Sequence, residues 1–532
     1  MTAFDIIPFI LFLVVIGTAI AERINVPYPL VLVVAGLLVG FIPGIPNWHP
    51  PSEVVLTLFL PPILFAAARL ISWEDIQNNI TEIISLAVVL VIVSTMVVGW
   101  VLHWIVPAMP LSAALVLGAI IAPTDAIAST SILHKLNAQQ QVIRSIEVES
   151  LFNDAISIVL YKMAVLFVFM DAINVTQVSI HTILVGLGGI AVGLMFSYFT
   201  SLIVKEFLTE SENELPIIMS LILAYVAYLF AVRIGVSGVL SVVAAGLFHK
   251  RTERTIKART RLSEKAVWDT FIFFLNGLIF IVIGMQFPTY LRKVSYLPAS
   301  QLILFSIVTI VILILLRFIW VSMTAYIATR IARLRKSKTQ ITEFSWREVV
   351  ISSWSGMRGL VSLALAIALP VSISDTNPFP FLNLIIFLTI IVILFTLVVQ
   401  GLTLPYLIKV LKLEKTDIET IKEATKIYRK ITKQAIEHIS KLEETEHVCS
   451  IASKKLVDSY YANRLLQFKV SYQTECDTHE VGHEAESLLA KILDYERKLL
   501  YKMRSNGEIS EEVYMRILSK IDRDQVGFAS YK

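Results

Sequence analysis

The sequence predicts an all-α polytopic membrane protein with about thirteen transmembrane helices and a cytosolic helical domain at its C-terminal end. Of its 532 residues, 56% are hydrophobic, and the mean hydropathy is +0.72. Only 17% are charged, whereas soluble domains carry about a quarter. Apolar segments, most of them about 18–30 residues long, recur up to about residue 410. Such segments are long enough to cross a bilayer as helices.

Thirteen spans fit this apolar region. The first begins close to the N-terminus and is predicted to be a retained span, because no basic stretch precedes it and no small-residue cleavage site follows. The second, third and ninth are short for a full crossing, which tilt or local thinning of the bilayer accommodates. The predicted spans are 4–21, 28–43, 53–70, 81–106, 111–133, 147–170, 178–204, 214–232, 236–249, 266–287, 299–330, 346–370 and 381–409.

Basic residues orient these spans. The alternate loops on one side hold only Arg233, Arg292 and Lys293. The loops on the other side hold Arg23, Arg69, Lys135, Arg144, Lys205, Lys250, Arg251, Arg254, Lys257, Arg259, Arg261, Lys265, Arg330, Arg333, Arg335, Lys336, Lys338 and Arg347. The positive-inside rule makes the richer side cytoplasmic. We therefore expect a plasma or inner membrane protein with its N-terminus outside and its C-terminus in the cytosol.

The long basic loop 250–265 admits two interpretations. It is predicted to be a topology signal, and contact with anionic lipid is the alternative.

Two carboxylates lie within long apolar stretches, and a charge at membrane depth costs roughly 3 kcal/mol on insertion scales. The first, Asp125, ends the segment Ala122-Pro123-Thr124-Asp125 in the fifth span. Pro123 removes a backbone donor and clashes with the preceding turn. Interrupted helices of this kind present backbone carbonyls to ions inside membranes. The alternative is an ordinary proline kink with a structural aspartate.

The second carboxylate, Asp154, lies near the start of the sixth span. Ser150 and Asp154 are four residues apart and share one helix face, while Glu149 and Asn153 share a neighbouring face. If Asp154 meets Asp125 across the two helices, their protons form a coupled set. Hydroxyl and carboxylate oxygens, here from Thr124, Ser150 and the two aspartates, suit a hard monovalent cation. The sequence therefore predicts a site at which a cation and a proton compete.

Two further charges require partners. Glu149 lies on a different stripe of the sixth span from Asp154, and Arg317 lies midway through the eleventh. An isolated buried charge is costly, so a Glu149–Arg317 pair joining these spans is predicted. The alternative is that Arg317 snorkels to an interface.

The twelfth span contains Ser355-Gly356-Met357-Arg358-Gly359. Because glycine permits interruption and close approach of the backbone, this span is predicted to be broken like the fifth. Arg358 would then neutralise helix ends or carboxylates where the two breaks cross. The fifth and twelfth spans occupy equivalent places in spans 1–6 and 8–13, which suggests inverted repeats with two crossed discontinuous helices.

The composition changes near residue 411. Residues 411–532 contain 21 basic and 21 acidic side chains with helical spacing. We predict domains at 1–410 (transmembrane) and 411–532 (a cytosolic helical module for assembly or regulation). Cys476, His479 and His483 would share a face of a helix, but their spacing matches no common zinc finger. We therefore expect no metal beyond a transported monovalent cation.

The segment from Gly118 to Lys162 resembles the ion-binding region of the monovalent cation:proton antiporter family, which includes bacterial and animal sodium/proton exchangers. The stretches Asp269-Thr270-Phe271-Ile272-Phe273 and Gly356-Met357-Arg358-Gly359-Leu360-Val361-Ser362 resemble later signatures of that family. The resemblance covers essentially residues 1–410. The tail is similar only in being a helical cytosolic extension.

This resemblance implies a homodimer of thirteen-helix protomers, each with a dimerisation part and a mobile six-helix core. It implies that Asp154 carries the cation and the proton, and that Asn153 marks the one-for-one, electroneutral branch. It also implies ion ligands at Thr124, Asp125 and Ser150 and a core salt bridge between Glu149 and Arg317. The chain departs from the family at Ala126, where many members have proline, and at Asp269, where animal members have glutamate.

The resulting hypothesis is electroneutral exchange of Na⁺, or Li⁺ or K⁺, for H⁺ without a cofactor. A K⁺/H⁺ antiporter is the first alternative, since the same oxygens serve either ion. An ion-sensing receptor that signals through the tail is the second. The sequence shows no nucleophile–base set or phosphate-binding loop, so we expect neither an enzyme nor a nucleic-acid partner.

Overall fold

A computed structural model of the chain describes residues 3–24, 26–42, 55–71, 76–77, 80–136, 138, 140–169, 175–208, 214–252, 258–335, 345–374 and 377–411. They belong to one compact unit, Met1–Lys415. Apart from its first residue, the predicted cytosolic domain 411–532 lies outside the described residues and stays a prediction. The same holds for the zinc candidates Cys476, His479 and His483.

Helices account for most of the described residues. We number them α1 (Ala3–Arg23), α2 (Tyr28–Gly40), α3 (Leu60–Leu70), α4 (Leu90–Ile105), α5 (Leu111–Ile121), α6 (Ala126–Lys135), α7 (Gln140–Phe169), α8 (Val175–Ile203), α9 (Glu214–Arg233), α10 (Gly238–Thr252), α11 (Ala258–Lys293), α12 (Ala299–Arg335), α13 (Trp346–Trp354), α14 (Leu360–Ile367), α15 (Leu382–Phe395) and α16 (Gly401–Leu411). A short helix, Ile80–Ile83, and four π-helical segments, Val55–Phe59, Ile84–Val89, Val204–Leu208 and Thr396–Gln400, extend or join them.

Within the described ranges, eight helical segments are long and apolar enough to cross a membrane. Three shorter apolar helices, Tyr28–Gly40, Val55–Leu70 and Gly238–Lys250, correspond to the three spans predicted to be short. The prediction of a helical, multi-pass membrane protein is therefore confirmed. The count of thirteen spans stays a prediction.

Two predicted spans are interrupted near their middles. The fifth is divided between α5 and α6, with residues 122–125 outside either helix. The twelfth is divided between α13 and α14, with residues 355–359 between them. Pro123 explains the first break. Gly356 and Gly359 lie within the second break. Because glycine has no side chain, both leave room for charged side chains of the site described below.

Several helices extend beyond the predicted spans. The sixth span was predicted to begin at residue 147, but α7 begins at Gln140, so Glu149 lies about two and a half turns inside the helix. Helix α11 likewise runs from Ala258 to Lys293 rather than over 266–287. Hydropathy marks only the part of a helix that lies within the membrane, and polar residues continue the helix into water.

Glycines allow α2 and α11 to pack with their backbones in close approach. A Cβ atom on Gly36 would collide with the carbonyl oxygen of Ile281, and one on Gly284 would collide with that of Val33. Small residues at such crossings are typical of membrane helix pairs. This packing places Tyr28 against Phe273, with 5.3 Å between ring centroids.

A short antiparallel ribbon departs from the all-helical prediction. Ser372–Ser374 (β1) pairs with Asn377–Pro378 (β2), with Ser372 opposite Pro378. The ribbon lies between α14 and α15 and forms no part of the site below.

Candidate ion-binding site

The two helix interruptions contact each other directly. The backbone N–H of Asp125 donates to the carbonyl oxygen of Met357 over 2.7 Å. The backbone N–H of Leu360 donates to Asp125 Oδ2 over 3.2 Å. The unwound segments of the fifth and twelfth predicted spans thus satisfy part of each other's backbone hydrogen bonding, as a membrane interior requires.

Asp125 links the starts of two helices. Its Oδ1 accepts a hydrogen bond from the N–H of Ile127 in α6 (2.8 Å), and its Oδ2 accepts the bond from Leu360 at the start of α14. A carboxylate is a favoured N-cap, and the positive end of a helix dipole stabilises it. Two helix N-termini therefore hold this side chain in a fixed position.

Arg358 has the complementary place at the helix C-termini. Its Nε donates to the carbonyl of Ile121, the last residue of α5, over 3.2 Å. Its Nη1 donates to the carbonyl of Gly356, just beyond α13. The guanidinium is buried and compensates the negative ends of both half-helices.

The glycines on either side of Arg358 make room for two charged side chains. A Cβ atom on Gly359 would collide with Asp125 Oδ2, and a Cβ atom on Gly356 would collide with the side chain of Arg317. The spacing Gly-Met-Arg-Gly is thus explained by what packs against it.

Glu149 and Arg317 form a bidentate ion pair between α7 and α12. The Nη1–Oε1 distance is 2.5 Å and the Nη2–Oε2 distance is 3.0 Å. Arg317 also donates from Nε and Nη2 to the carbonyl of Ser352 in α13. Both charged residues are 2% exposed, so Arg317 does not snorkel to an interface.

Thr124, Ser150 and Asn153 form a hydrogen-bonded cluster beside this pair. Asn153 Nδ2 donates to Thr124 Oγ1 over 2.8 Å, and Thr124 Oγ1 donates to Glu149 Oε1 over 3.3 Å. Ser150 Oγ donates to the Thr124 carbonyl and accepts from the N–H of Ala126. Because a hydroxyl oxygen has two lone pairs, Thr124 and Ser150 each keep one for a further partner.

Asp154 differs from Asp125 in having no fixed partner. It is half-buried on the wall of a cavity of about 340 Å³ that Asp125, Thr124 and Ser150 also line. Among the described residues, no side chain or backbone group is hydrogen-bonded or ion-paired to its carboxylate. The predicted ligands Thr124, Asp125, Ser150 and Asp154 therefore lie around one cavity. Hydrogen bonds fix the carboxylate of Asp125, whereas the carboxylate of Asp154 is not held by a protein group.

Side chains from outside the two broken helices form the rest of this cavity wall. Tyr28 from α2, Asp269 and Asn276 from α11, and Ser362 from α14 all line it. Tyr28, Asn276 and Ser362 had no predicted role in the site. Only Asn276 carried a usable signal, a polar amide deep within an apolar run.

A buried charge cluster that the sequence argument also missed lies along the cavity. Arg69, which was used only as a topology marker, donates from Nη1 to Glu264 Oε1 over 2.8 Å. His249 Nε2 lies 3.3 Å from the same oxygen. Arg69 also stacks over Trp268, with 5.7 Å from Cζ to the ring centroid. These contacts tie α3, α10 and α11 together.

The sequence profile described as "Sodium/hydrogen exchanger, transmembrane" matches residues 10–410. The chain belongs to this family. The prediction of a monovalent cation:proton antiporter family member is thus confirmed.

Curated relatives of this exchanger family member include antiporters from bacteria. A protein from Bacillus pumilus named "Sodium, potassium, lithium and rubidium/H(+) antiporter" is 31% identical over 394 residues, covering 72% of this chain and 58% of that protein. The chain thus spans about three fifths of that relative's length. ApNhaP, a Na(+)/H(+) antiporter from Aphanothece halophytica, is 31% identical over 415 residues, covering 75% of this chain and 73% of that protein.

The fold is similar to a solved exchanger structure. The sodium proton antiporter MjNhaP1 from Methanocaldococcus jannaschii superimposes with a TM-score of 0.59 and 20% identity, covering 76% of this chain and 98% of that one. At this identity, the likeness is one of fold.

Proposed function

We propose that this protein exchanges one Na⁺ for one H⁺ across the membrane, so that the exchange is electroneutral. We also propose that both ions compete for Asp154. Family membership and the names of the relatives support cation/proton exchange. One observation supports the assignment of the carrier. Among the described residues, Asp154 is the half-buried carboxylate on the cavity wall that no protein group holds, whereas Asp125 accepts two backbone hydrogen bonds and Asp269, which also lines the cavity, is exposed.

The different environments of the two aspartates suggest different roles. Asp125 is held by two helix N-termini, so its charge stays in place while ions come and go. The carboxylate of Asp154 accepts either a proton or a cation. The remaining lone pairs of Thr124 and Ser150, with the oxygens of Asp125, complete an oxygen-rich site for the cation. Binding of one ion displaces the other, and this displacement couples the two fluxes.

Asn153 is consistent with one-for-one exchange. The amide next to Asp154 carries no charge and donates to Thr124, so Asp154 is the one residue of this pair that exchanges a proton for a cation. One proton then leaves for each monovalent cation that binds. The net charge moved in a cycle is zero.

Alternating access requires the site to face one side at a time. The cavity continues from the helix interruptions to His134, Glu147 and Lys265. We propose that these residues face the cytosol, with the N-terminus outside and the C-terminus inside, because the basic loops lie on their side. The described conformation would then be open to the cytosol.

The buried charges suggest which parts move together. Arg358, Asp125 and the Glu149–Arg317 pair bind α5, α6, α7, α12, α13 and α14 to one another. We propose that these helices move as one body against a scaffold that contains α2 and α11, whose residues line the opposite wall. We also propose that spans 1–6 and 8–13 are inverted repeats, that the protein is a homodimer, and that residues 411–532 form a cytosolic helical domain.

Potassium is a second candidate for the transported ion. The Bacillus pumilus relative is named for sodium, potassium, lithium and rubidium, and a similarly named Bacillus subtilis protein is 28% identical over 516 residues. Carboxylate and hydroxyl oxygens accept either cation. Measuring proton flux with sodium, lithium and potassium in turn distinguishes these possibilities.

The proposed carrier is tested with purified protein in proteoliposomes that contain a pH-sensitive dye. Asp154→Asn removes the exchangeable charge with little change in shape, so we expect cation-dependent proton flux to fall to the level of empty vesicles. Glu214→Gln is the matched control, because Glu214 is exposed and does not line the cavity. Persistent exchange by a folded Asp154→Asn protein would refute the assignment.

A further inference from the structure

Ser362 is a buried hydroxyl with nothing in the structure to bind. The residue is 1% exposed, and its Oγ has no hydrogen-bond partner among the described residues. It is the third residue of α14 and lies on the wall of the cavity that Asp125 and Asp154 also line. Buried polar atoms are nearly always partnered, so an unpartnered one requires an explanation.

Several other buried helical hydroxyls in this protein bind their own helix. Ser306, Thr309, Ser353 and Thr389 each donate to the carbonyl four residues earlier, over 2.7–2.8 Å. This back-bonding is the usual solution for a serine or threonine inside a helix. Among the described residues, the buried hydroxyls of Thr18, Thr289 and Ser362 have no hydrogen-bond partner, and of these three only Ser362 lines the cavity. The cause at Ser362 is therefore expected to be local.

The break in the twelfth span provides that cause. Helix α14 begins at Leu360, so the residue four positions before Ser362 is Arg358, which lies in the interruption and outside the helix. The carbonyl of Gly359, three positions before, accepts from the N–H of Leu363. Neither of these carbonyls accepts from Ser362 Oγ, so the hydroxyl next to the interruption is not bonded to its own helix.

The location of Ser362 relates it to the aspartates. Leu360, two residues earlier in the same helical turn, donates its N–H to Asp125 Oδ2. The hydroxyls of Thr124 and Ser150 are already engaged in the protein, whereas Ser362 keeps both lone pairs and its proton. A neutral oxygen with free lone pairs, on a cavity wall that two carboxylates also line, suits a monovalent cation.

We propose that Ser362 is a ligand of the transported monovalent cation, contributed by the second broken helix. This inference rests on the proposed exchange function and extends its site to a third element. The ligand set then comes from the break between α5 and α6, from α7 and from α14. A bound cation would be a partner for this hydroxyl.

The test compares Ser362→Ala and Ser362→Thr with wild type in proteoliposomes. If Ser362 binds the ion, Ser362→Ala raises the KM for Na⁺ roughly tenfold while the maximal rate changes little, and Ser362→Thr, which keeps the hydroxyl, stays near wild type. Ser353→Ala is the matched control, because its hydroxyl is buried but satisfied within α13. We expect the control to retain the KM of wild type.

Thermal unfolding in detergent provides a second measurement that does not depend on transport. A cation ligand stabilises only the bound protein. Ser362→Ala should therefore melt no lower than wild type without Na⁺ and gain less from added Na⁺. A lower Tm of Ser362→Ala without Na⁺, a failure to fold, or an unchanged KM would overturn the role of Ser362 and leave the proposed exchange function intact. Absence of cation-dependent proton flux in the wild type would overturn the proposed function with it.

Discussion

At the scale of single residues, the centre of the fold is a set of buried charges, most of which are compensated by a fixed group. Glu149 pairs with Arg317, Asp125 receives two backbone N–H groups, and Arg358 donates to two carbonyls. Among the residues that the structure describes, no such group contacts Asp154. This contrast separates residues that hold the site together from the residue that we propose exchanges its partner.

Removing one member of the Glu149–Arg317 pair is expected to destabilise the protein. Arg317→Met leaves a buried carboxylate without its cation, and breaking a buried pair in this way costs about 3–5 kcal/mol. We expect a clearly lower Tm in detergent, partly restored in the double variant Glu149→Gln/Arg317→Met. Arg330→Met, an exposed arginine in the same helix, should melt like wild type. An unchanged Tm for Arg317→Met would show that the pair does not stabilise the fold.

The residue-level prediction from sequence was strongest where an unpaired charge would be costly. The high cost of burying Glu149 and Arg317 separately favoured their pairing, and the structure has them in contact. No comparable argument was available for Ser362, because a serine in an apolar helix normally bonds to its own backbone. Its missing partner becomes evident only when the exact start of α14 is known.

At the scale of elements, the two interrupted helices organise the site. Each break exposes helix ends. The exposed N-termini contact the carboxylate of Asp125, and the exposed C-termini contact the guanidinium of Arg358. Pro123 and the glycines of the second break were sufficient to predict both interruptions from sequence. Their direct contact was predicted only from their equivalent positions in the chain. The limits of α7 and α11 were not predictable, because these helices continue past their apolar parts.

The close approach at Gly359 can be tested directly. Gly359→Ala places a Cβ where Asp125 Oδ2 lies, so the carboxylate must leave the N–H of Leu360. A charge-assisted hydrogen bond contributes about 1.5–3 kcal/mol, and we expect exchange to fall about tenfold or more. Gly401→Ala is the control, since its Cβ would press only on the branched end of the Leu30 side chain. Equal rates for the two variants would argue against a fixed Asp125.

At the scale of the whole molecule, the orientation in the membrane is a proposal that rests on the basic loops and on the cavity lining near them. Composition and hydropathy were sufficient to predict a multi-pass helical membrane protein. The cavity was not predictable, because its walls bring together α2, α3, α6, α7, α11 and α14, whose packing depends on contacts between distant parts of the sequence. We propose that this cavity opens to the cytosol.

Thiol labelling tests that orientation on one helix. Asp269 lines the cavity and Lys293 ends α11, 24 residues later, a distance of about 36 Å that exceeds the hydrocarbon core. In a background that lacks Cys449 and Cys476, we expect Asp269→Cys to react with an impermeant reagent from the cytosolic side. Lys293→Cys should react from the outside. The reverse pattern would contradict the orientation.

The central claim is that a cation and a proton compete for the same carboxylate. The kinetics of sodium uptake at several pH values test this claim most directly. The measurement is the initial uptake of radioactive sodium into sodium-loaded proteoliposomes with equal pH on both faces. Competition predicts that the KM for Na⁺ rises on acidification, approaching about tenfold for each pH unit, while the rate at saturating Na⁺ stays constant. A falling maximal rate at constant KM would show that protons act elsewhere and would contradict the account.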